Sequence, residues 1–218
     1  SRVCLYEGTW EKYHNGTVFG VPSPKVNEYL TKAAEAALDL IESKIYSINI
    51  TGNPAETYFN NFNWENYSTH PEVMLWKKYD LSLQMHHRSN ANVTIFGSGG
   101  LTKELIDDYL CSDGLPKAVS PLYLGDNNIS DVQTNRDPRL TQTIWGPGEP
   151  VHVYGGDTLV IWTAAPMTLS NQCNVGGYHI KKYAKIDMFD LDQEASHGYP
   201  IWRFAEALLN YAEAKAEL

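Results

Sequence analysis

Flat aromatic side chains beside amide, carboxylate and guanidinium groups are residues of this sequence that could contact a ligand, and one chemistry open to them is the binding of sugars. Aromatic rings pack against the C–H faces of a sugar, and polar side chains hydrogen-bond to its hydroxyl groups. The candidate ligand contacts are Trp64, His87, Arg88, Asn90, Phe96, Trp145, Tyr154 and Trp162. An aromatic residue in a chain of this size is more often part of the core. We therefore favour segment 86–100, where polar residues surround one phenylalanine.

Carboxylates offer glycoside hydrolysis as an alternative chemistry. Glu65, Asp107, Asp108 and Asp157 are the candidates. Hydrolysis needs two carboxyl groups about 5–9 Å apart, with the pKa of one of them raised. Asp107 and Asp108 are neighbours on a predicted helix and cannot face one scissile bond. We predict binding without catalytic residues, with a glycosidase as the weaker alternative.

Metal and cofactor chemistry find little support in the sequence. The adjacent His86 and His87 diverge on either a strand or a helix, and no HExxH motif follows. The acidic stretch 187–194 lacks the glycine and the final glutamate of a calcium loop. Segment 97–100 (GSGG) lacks the Lys-Ser/Thr of a phosphate loop, and the three cysteines have no zinc spacing. We expect no metal and no cofactor.

Helices at the two ends of the chain must position the candidate residues. Apolar residues recur every three or four positions from Pro24 to Tyr46, which predicts an amphipathic helix with Ser23 as its N-cap. An earlier helix ends near His14, and Pro200 opens an Ala-rich helix that runs to the last residue. Because both end helices look cut, we expect a fragment of a longer protein with an uncovered apolar helix face, which would make it self-associate.

The middle of the chain, residues 47–199, has a different character. It is rich in Asn, Gly, Pro and aromatic residues, and such a long irregular segment is usually functional. We predict a short helix from Thr102 to Leu110, with Leu101 and Ile106 as a hydrophobic staple, and strands over 159–163 and 178–183. The predicted fold is mainly α: a helical scaffold (1–46 and 200–218) that carries a loop-rich lobe (47–199) with a few short strands.

Composition excludes several classes of protein. The 218 residues carry 17 basic and 26 acidic side chains, a formal charge of −9. Nucleic-acid binding rests on clustered Lys and Arg, so we exclude that partner. The sequence contains no apolar run of about 18 residues, so we predict no membrane span.

Six phrases, in this order along the chain, resemble the SusD/RagB family of bacterial outer-membrane nutrient-binding lipoproteins. They are 2–10 (RVCLYEGTW), 33–37 (AAEAA), 104–109 (ELIDDY) with 113–114 (DG), 135–140 (NRDPRL), 177–178 (GY) with 182–183 (KY), and 203–214 (RFAEALLNYAEA). The phrase at 135–140 is the most specific. Its Asp137 and Pro138 suit a tight turn or a helix start, and its Arg136 and Arg139 suit hydrogen bonds that tie loops together.

The resemblance implies a surface-exposed protein of the bacterial outer membrane, of which this chain is an internal fragment. Its tetratricopeptide-like helices, an α-α superhelix, would face a SusC-like TonB-dependent transporter, and its lobe would bind a nutrient oligosaccharide. The lipid-bearing cysteine of such proteins precedes this chain, so membrane contact would be made through an anchor outside it. Tetratricopeptide grooves and aromatic loops also suit peptides, so a peptide-capture member of the family stays open as an alternative.

Overall fold

A computed structural model describes residues 1–94, 100–154, 158–165, 174, 176–186 and 195–218. The chain divides into two compact units. We call Ser1–Asn49, Tyr67–Lys77 and Pro200–Leu218 the helical unit, and Ile50–Asn66 with Lys78–Tyr199 the lobe unit. The predicted fold class is confirmed: the structure is mainly helical, with short strands in a loop-rich unit. The boundaries predicted at 46/47 and 199/200, and the tetratricopeptide character of the helices, stay predictions.

Three long helices build the helical unit: α1 (Arg2–His14), α2 (Val26–Ser43) and α8 (Phe204–Glu217). They pack through small residues, since Ala33, Ala34 and Ala214 form a buried cluster with Leu5 and Leu30. Gly8 of α1 lies so close to α2 that an added Cβ would stand 2.9 Å from the Leu30 side chain. The small side chains of Gly8, Ala33 and Ala214 therefore allow the three helices to pack closely.

Two predicted helix starts are wrong. Helix α2 spans Val26–Ser43 rather than Pro24–Tyr46, and Ser23 does not cap it. The Lys25 N–H donates to the Glu11 carboxylate of α1 (2.5 Å), which fixes the start of the helix at Val26. Pro200 does not open a helix: residues Tyr199–Arg203 form strand β6, which pairs with β1 (Val73–Lys77). This pairing overrides the helical pattern of residues 200–203.

The lobe unit is built from short elements joined by long loops. Its helices are α3 (Thr57–Asn60), α4 (Ser89–Thr94), α5 (Lys103–Asp108), α6 (Ile129–Gln133) and α7 (Pro138–Thr141), with a 3-10 turn at Leu81–Leu83. Its strands are β2 (Gly100–Leu101), β3 (Pro150–Tyr154), β4 (Thr158–Ile161) and β5 (Tyr178–His179). The antiparallel pairs are β2 with β5, through Gly100↔His179, and β3 with β4, through Val153↔Leu159.

The predicted elements of the lobe unit are present with altered bounds. Thr102 caps α5 by accepting from the Leu105 N–H, and Leu101 packs against the cluster that contains Ile106, as expected. The strand predicted over 178–183 stops at His179. The chain turns at 181–184, where Tyr183 adopts a φ of 72°, a conformation that a strand cannot accommodate.

Two apolar clusters stabilise this unit. One contains Phe59, Val93, Trp145, Val151, Trp162 and Ala184. The other contains Ile106, Val132, Leu140 and Ile144, all fully buried or nearly so. In the part of the chain that the structure describes, no helix is both long and apolar enough to cross a membrane.

Candidate ligand-binding surface

Four of the predicted ligand contacts come together in the lobe unit. The loop after α3 carries Trp64, the segment that leads into α4 carries His87 and Arg88, and Asn90 lies in the first turn of α4. Residues 183–186 and 195–199 join these two segments through hydrogen bonds. We call Trp64, Glu65, His87, Arg88, Asn90, Lys185 and Ser196 the Trp64 surface.

His87 ties the surface to the returning chain. Its N–H donates to the Ala195 carbonyl (2.9 Å), and the Ala195 N–H donates back to the His87 carbonyl (3.0 Å). The ring Nδ1 accepts the Ser89 N–H (3.2 Å), so Nε2 carries the proton and donates to the His197 carbonyl (2.9 Å). Both ring nitrogens of His87 therefore serve the fold.

An ion pair holds the second edge of the surface. The Lys185 ammonium group contacts the exposed Glu65 carboxylate, and the Ser196 hydroxyl donates to the same carboxylate (3.4 Å). The Lys185 N–H donates to the buried Asn90 Oδ1 (2.7 Å). Asn90 is thus a support of the surface, whereas Glu65 and Arg88 are exposed to solvent.

Trp64 is half-buried, and its carbonyl accepts the Gly198 N–H (2.8 Å). This bond fixes the backbone of the loop that carries the indole. Part of the Trp64 side chain remains at the surface, beside the exposed Glu65. A partly exposed aromatic ring with carboxylate and hydroxyl groups next to it is the combination that sugar binding requires.

A row of aromatic rings underlies the surface. The His87 ring lies 4.5 Å from the rings of both Tyr79 and His197. Tyr199 stacks on Tyr183 with centroids 4.4 Å apart and an interplanar angle of 5°. These contacts give the surface a rigid floor.

His197 sits in this floor without exposure to solvent. Burial, reinforced by the nearby His87 and Lys185, lowers its pKa to about 3. The imidazole is therefore neutral at physiological pH, and the floor of the surface adds no positive charge there.

Trp145 and Trp162 lie elsewhere, in the larger core cluster of the lobe unit. They are 1% and 6% exposed, which removes their ring faces from the surface. The Trp145 indole N–H donates to the Val93 carbonyl (3.0 Å), and that of Trp162 donates to His179 Nδ1 (3.0 Å). Both indoles are buried because this cluster is the main apolar core of the unit and their rings are its largest members.

Two further predicted contacts cannot be placed. Phe96 lies outside the described residues, and so do Asp157 and the acidic stretch 187–194. Tyr154 ends strand β3, but its side chain also lies outside the description.

The motif at 135–140 is a structural junction. Arg136 is buried and donates through Nη2 to the carbonyls of Ile106 and Tyr109, both at 2.7 Å. Asp137 caps α7 by accepting the Arg139 N–H (2.9 Å), and Pro138 is the first residue of that helix. Arg139 is exposed and pairs with Asp137 (2.5 Å). The motif thus joins α5 to α7 and lies apart from the residues of the Trp64 surface in sequence and in its contacts.

Two of the carboxylates weighed for hydrolysis have other partners. Glu65 pairs with Lys185, and Asp107 pairs with Lys103 (2.9 Å) and also with Lys117. Burial raises the pKa of Asp107, but pairing with both lysines outweighs it and lowers the pKa below its usual value. A general acid requires the opposite shift. Among the described residues, no three His, Cys, Asp or Glu side chains gather as a metal site would need.

Sequence reasoning missed Lys185 and Ser196 as parts of the surface. Their contacts with Glu65 span 120 and 131 positions in the chain, and no local pattern reports contacts at that separation. The signal in the sequence nearest to Lys185 was Tyr183, which belongs to one of the phrases that resemble the family.

The class of protein follows from comparison with known families and folds. The model of the SusD family matches residues 51–218, so this chain belongs to the SusD family. No curated protein matches the chain.

Two solved structures are similar to the chain over 99% of its length. A SusD-like carbohydrate-binding protein from Bacteroides fragilis is 18% identical, with a TM-score of 0.62. A SusD superfamily protein from Parabacteroides distasonis is 14% identical, with a TM-score of 0.48. The present chain spans 38% and 39% of these two chains, and the first likeness shows a shared fold.

Proposed function

We propose that this chain is part of a non-catalytic protein that binds a nutrient oligosaccharide and delivers it to a SusC-like TonB-dependent transporter at the bacterial outer membrane. The observation that carries the proposal is the Trp64 surface: a half-buried indole, whose backbone is fixed by Gly198, beside the Glu65–Lys185 pair. Membership of the SusD family supports it, as does the carbohydrate binding named for the Bacteroides fragilis protein.

The chemistry of the surface favours a sugar over a charged ligand. Glu65 and Lys185 neutralise each other, and their remaining hydrogen-bonding capacity suits hydroxyl groups, which both donate and accept. Arg88, next to His87 in the chain, adds an exposed guanidinium donor. The delivery step, the lipid anchor and the location at the cell surface belong to the proposal through the family.

Calorimetric titration of the chain with maltohexaose, cellohexaose, mannohexaose and xylohexaose tests the proposal. We expect saturable binding of at least one sugar. Replacing Arg88 by Ala removes a charged donor and should weaken that binding roughly tenfold or more. Arg139→Ala is the matched control, because Arg139 is also an exposed arginine of the lobe unit but lies outside the Trp64 surface.

The alternatives give different results in the same series. Saturable binding of an oligopeptide mixture, together with no response to any of the four sugars, would favour peptide capture and contradict the proposal. Release of nitrophenol from chromogenic glycosides, lost in Glu65→Gln, would instead establish a glycosidase.

A further inference from the structure

A cleft of about 390 Å³ lies in the helical unit, between the end of α2 and the segment that leads into β1. Its walls include the aromatic side chains Tyr46, Tyr67, His70 and Trp76, and its rim carries the exposed residues Ser68 and Thr69. Ligand clefts measure about 300–1,000 Å³, so this one suits a small ligand. It shares no residue with the Trp64 surface.

The cleft is shaped by local structure. The His70 N–H donates to the Tyr67 carbonyl (3.1 Å), which closes a turn that presents Ser68 and Thr69. The Tyr67 ring lies between those of His70 (5.4 Å) and Trp76 (5.7 Å) and holds both in place. Tyr46 and Trp76 are only half-buried, so aromatic surface remains for a ligand.

The described lining of the cleft carries no ionised side chain. The adjacent Glu72 is buried, pairs with Arg203 (2.5 Å) and accepts the Asn49 N–H (3.2 Å). Burial, aided by the charge of Arg203, lowers the pKa of His70 to about 4, so its ring is neutral at physiological pH. Its Nδ1 accepts the Glu72 N–H (3.2 Å), which places the proton on Nε2.

Hydroxyl groups and partly exposed aromatic rings in an uncharged cleft match an uncharged, polyhydroxylated ligand. We propose that this cleft is a second sugar-binding site, which takes one terminal or side-chain residue of a neutral glycan. The inference shares the class of ligand with the proposed function but rests on different residues.

Fluorine NMR of the chain labelled with 5-fluorotryptophan tests the inference site by site. The six tryptophans are assigned by single Trp→Phe variants. The probes are D-glucose, D-galactose, D-mannose and D-xylose, with glycerol as a control for non-specific effects. We expect the Trp76 resonance to shift saturably with at least one sugar. Trp202 is the control tryptophan of the helical unit, because it lines a different cleft, and its resonance should not shift.

Thr69→Val provides the matched variant. It keeps the shape of an exposed side chain and removes its hydroxyl, so it should weaken the Trp76 response severalfold without unfolding the chain. A Trp76 resonance that no sugar moves, that glycerol moves equally, or that responds unchanged in Thr69→Val would overturn the inference. If Trp76 stays silent while Trp64 responds, only this inference fails. If Trp76 responds while Trp64 stays silent, this inference stands, and the titration with the hexaoses decides the role of the Trp64 surface.

Discussion

Two arginines of one motif have opposite surroundings. Arg136 is buried and donates to the carbonyls that end α5, whereas Arg139, three positions later, is exposed and pairs with Asp137. The sequence predicted that both would tie loops together. It could not predict which one would be buried, because that depends on how α5 and α6 meet around the guanidinium.

Replacing Arg136 by Met keeps the length of the side chain but leaves the Ile106 and Tyr109 carbonyls without their donor. We expect a loss of about 2–4 kcal/mol in the free energy of unfolding, because each unsatisfied buried carbonyl costs roughly 1–3 kcal/mol. Urea unfolding followed by tryptophan fluorescence measures it.

Arg139→Met is the control for this comparison. An exposed ion pair contributes less than about 1 kcal/mol, so the variant should unfold close to the parent chain. Equal losses in the two variants would contradict the assignment of Arg136 as the buried junction.

Buried histidines predict acid sensitivity. Burial is the main reason that the pKa values of His70 and His179 fall to about 4 and that of His197 falls to about 3. Between pH 6.5 and about 4 the unfolded chain binds protons at these positions and the folded chain does not. The free energy of unfolding should therefore fall as the pH falls through this window, by up to about 1.4 kcal/mol per pH unit for each histidine.

Urea unfolding at pH 7.5, 6.0 and 5.0 measures this slope. His197→Phe should make the slope shallower, because the variant has no group to protonate at that position. His86→Phe is the control, since His86 is exposed and keeps its solvent in the folded state. An unchanged slope in His197→Phe would show that His197 is protonated in the folded chain.

Helix packing in the helical unit depends on alanine. Ala33 is fully buried in the cluster of α1, α2 and α8, next to Leu30 and Ala214. Ala33→Leu should lower the free energy of unfolding by about 1–3 kcal/mol through overpacking, which is several degrees in the midpoint of thermal unfolding. Ala216→Leu, at an exposed position of α8, is the matched control and should melt close to the parent chain.

Sequence reasoning succeeded for elements whose pattern is local. The 3.6-residue period of α2 and the cap at Thr102 depend on neighbours within one or two turns, and both appear in the structure. It failed where distant segments compete. Strand β6 forms because β1 lies beside it, and the indoles of Trp145 and Trp162 are buried by residues from α3 to Ala184. For the Trp64 surface, the sequence named Trp64, His87, Arg88 and Asn90 as candidates but not Lys185 and Ser196, whose contacts with Glu65 span more than a hundred positions.

At the scale of the whole molecule, the outer face of α1 predicts self-association. Val3 and Tyr6 are 78% and 63% exposed, and the following loop exposes Val18 and Phe19. Contiguous exposed apolar residues of this kind promote contact between molecules. Light scattering should give a mass that rises with concentration above the 24.5 kDa of one chain.

The double variant Tyr6→Glu with Val18→Glu should return the mass toward that of one chain. Leu105→Glu is the control, because it adds a charge at an exposed leucine of the lobe unit. A sharp monomer peak of the parent chain at high concentration would contradict the prediction.

The pairing of β1 with β6 determines how residues 78–198 are attached to the rest of the chain. The chain leaves the helical unit along β1 and comes back along β6, and the Phe204 N–H donates to the Glu72 carbonyl (2.8 Å) where the two strands meet the helices. Residues 78–198 therefore begin and end at two neighbouring strands. A segment attached in this way is an exchangeable cassette: a different recognition module could replace it between the same two strands, provided that it also replaces residues 50–66, which belong to the same compact unit.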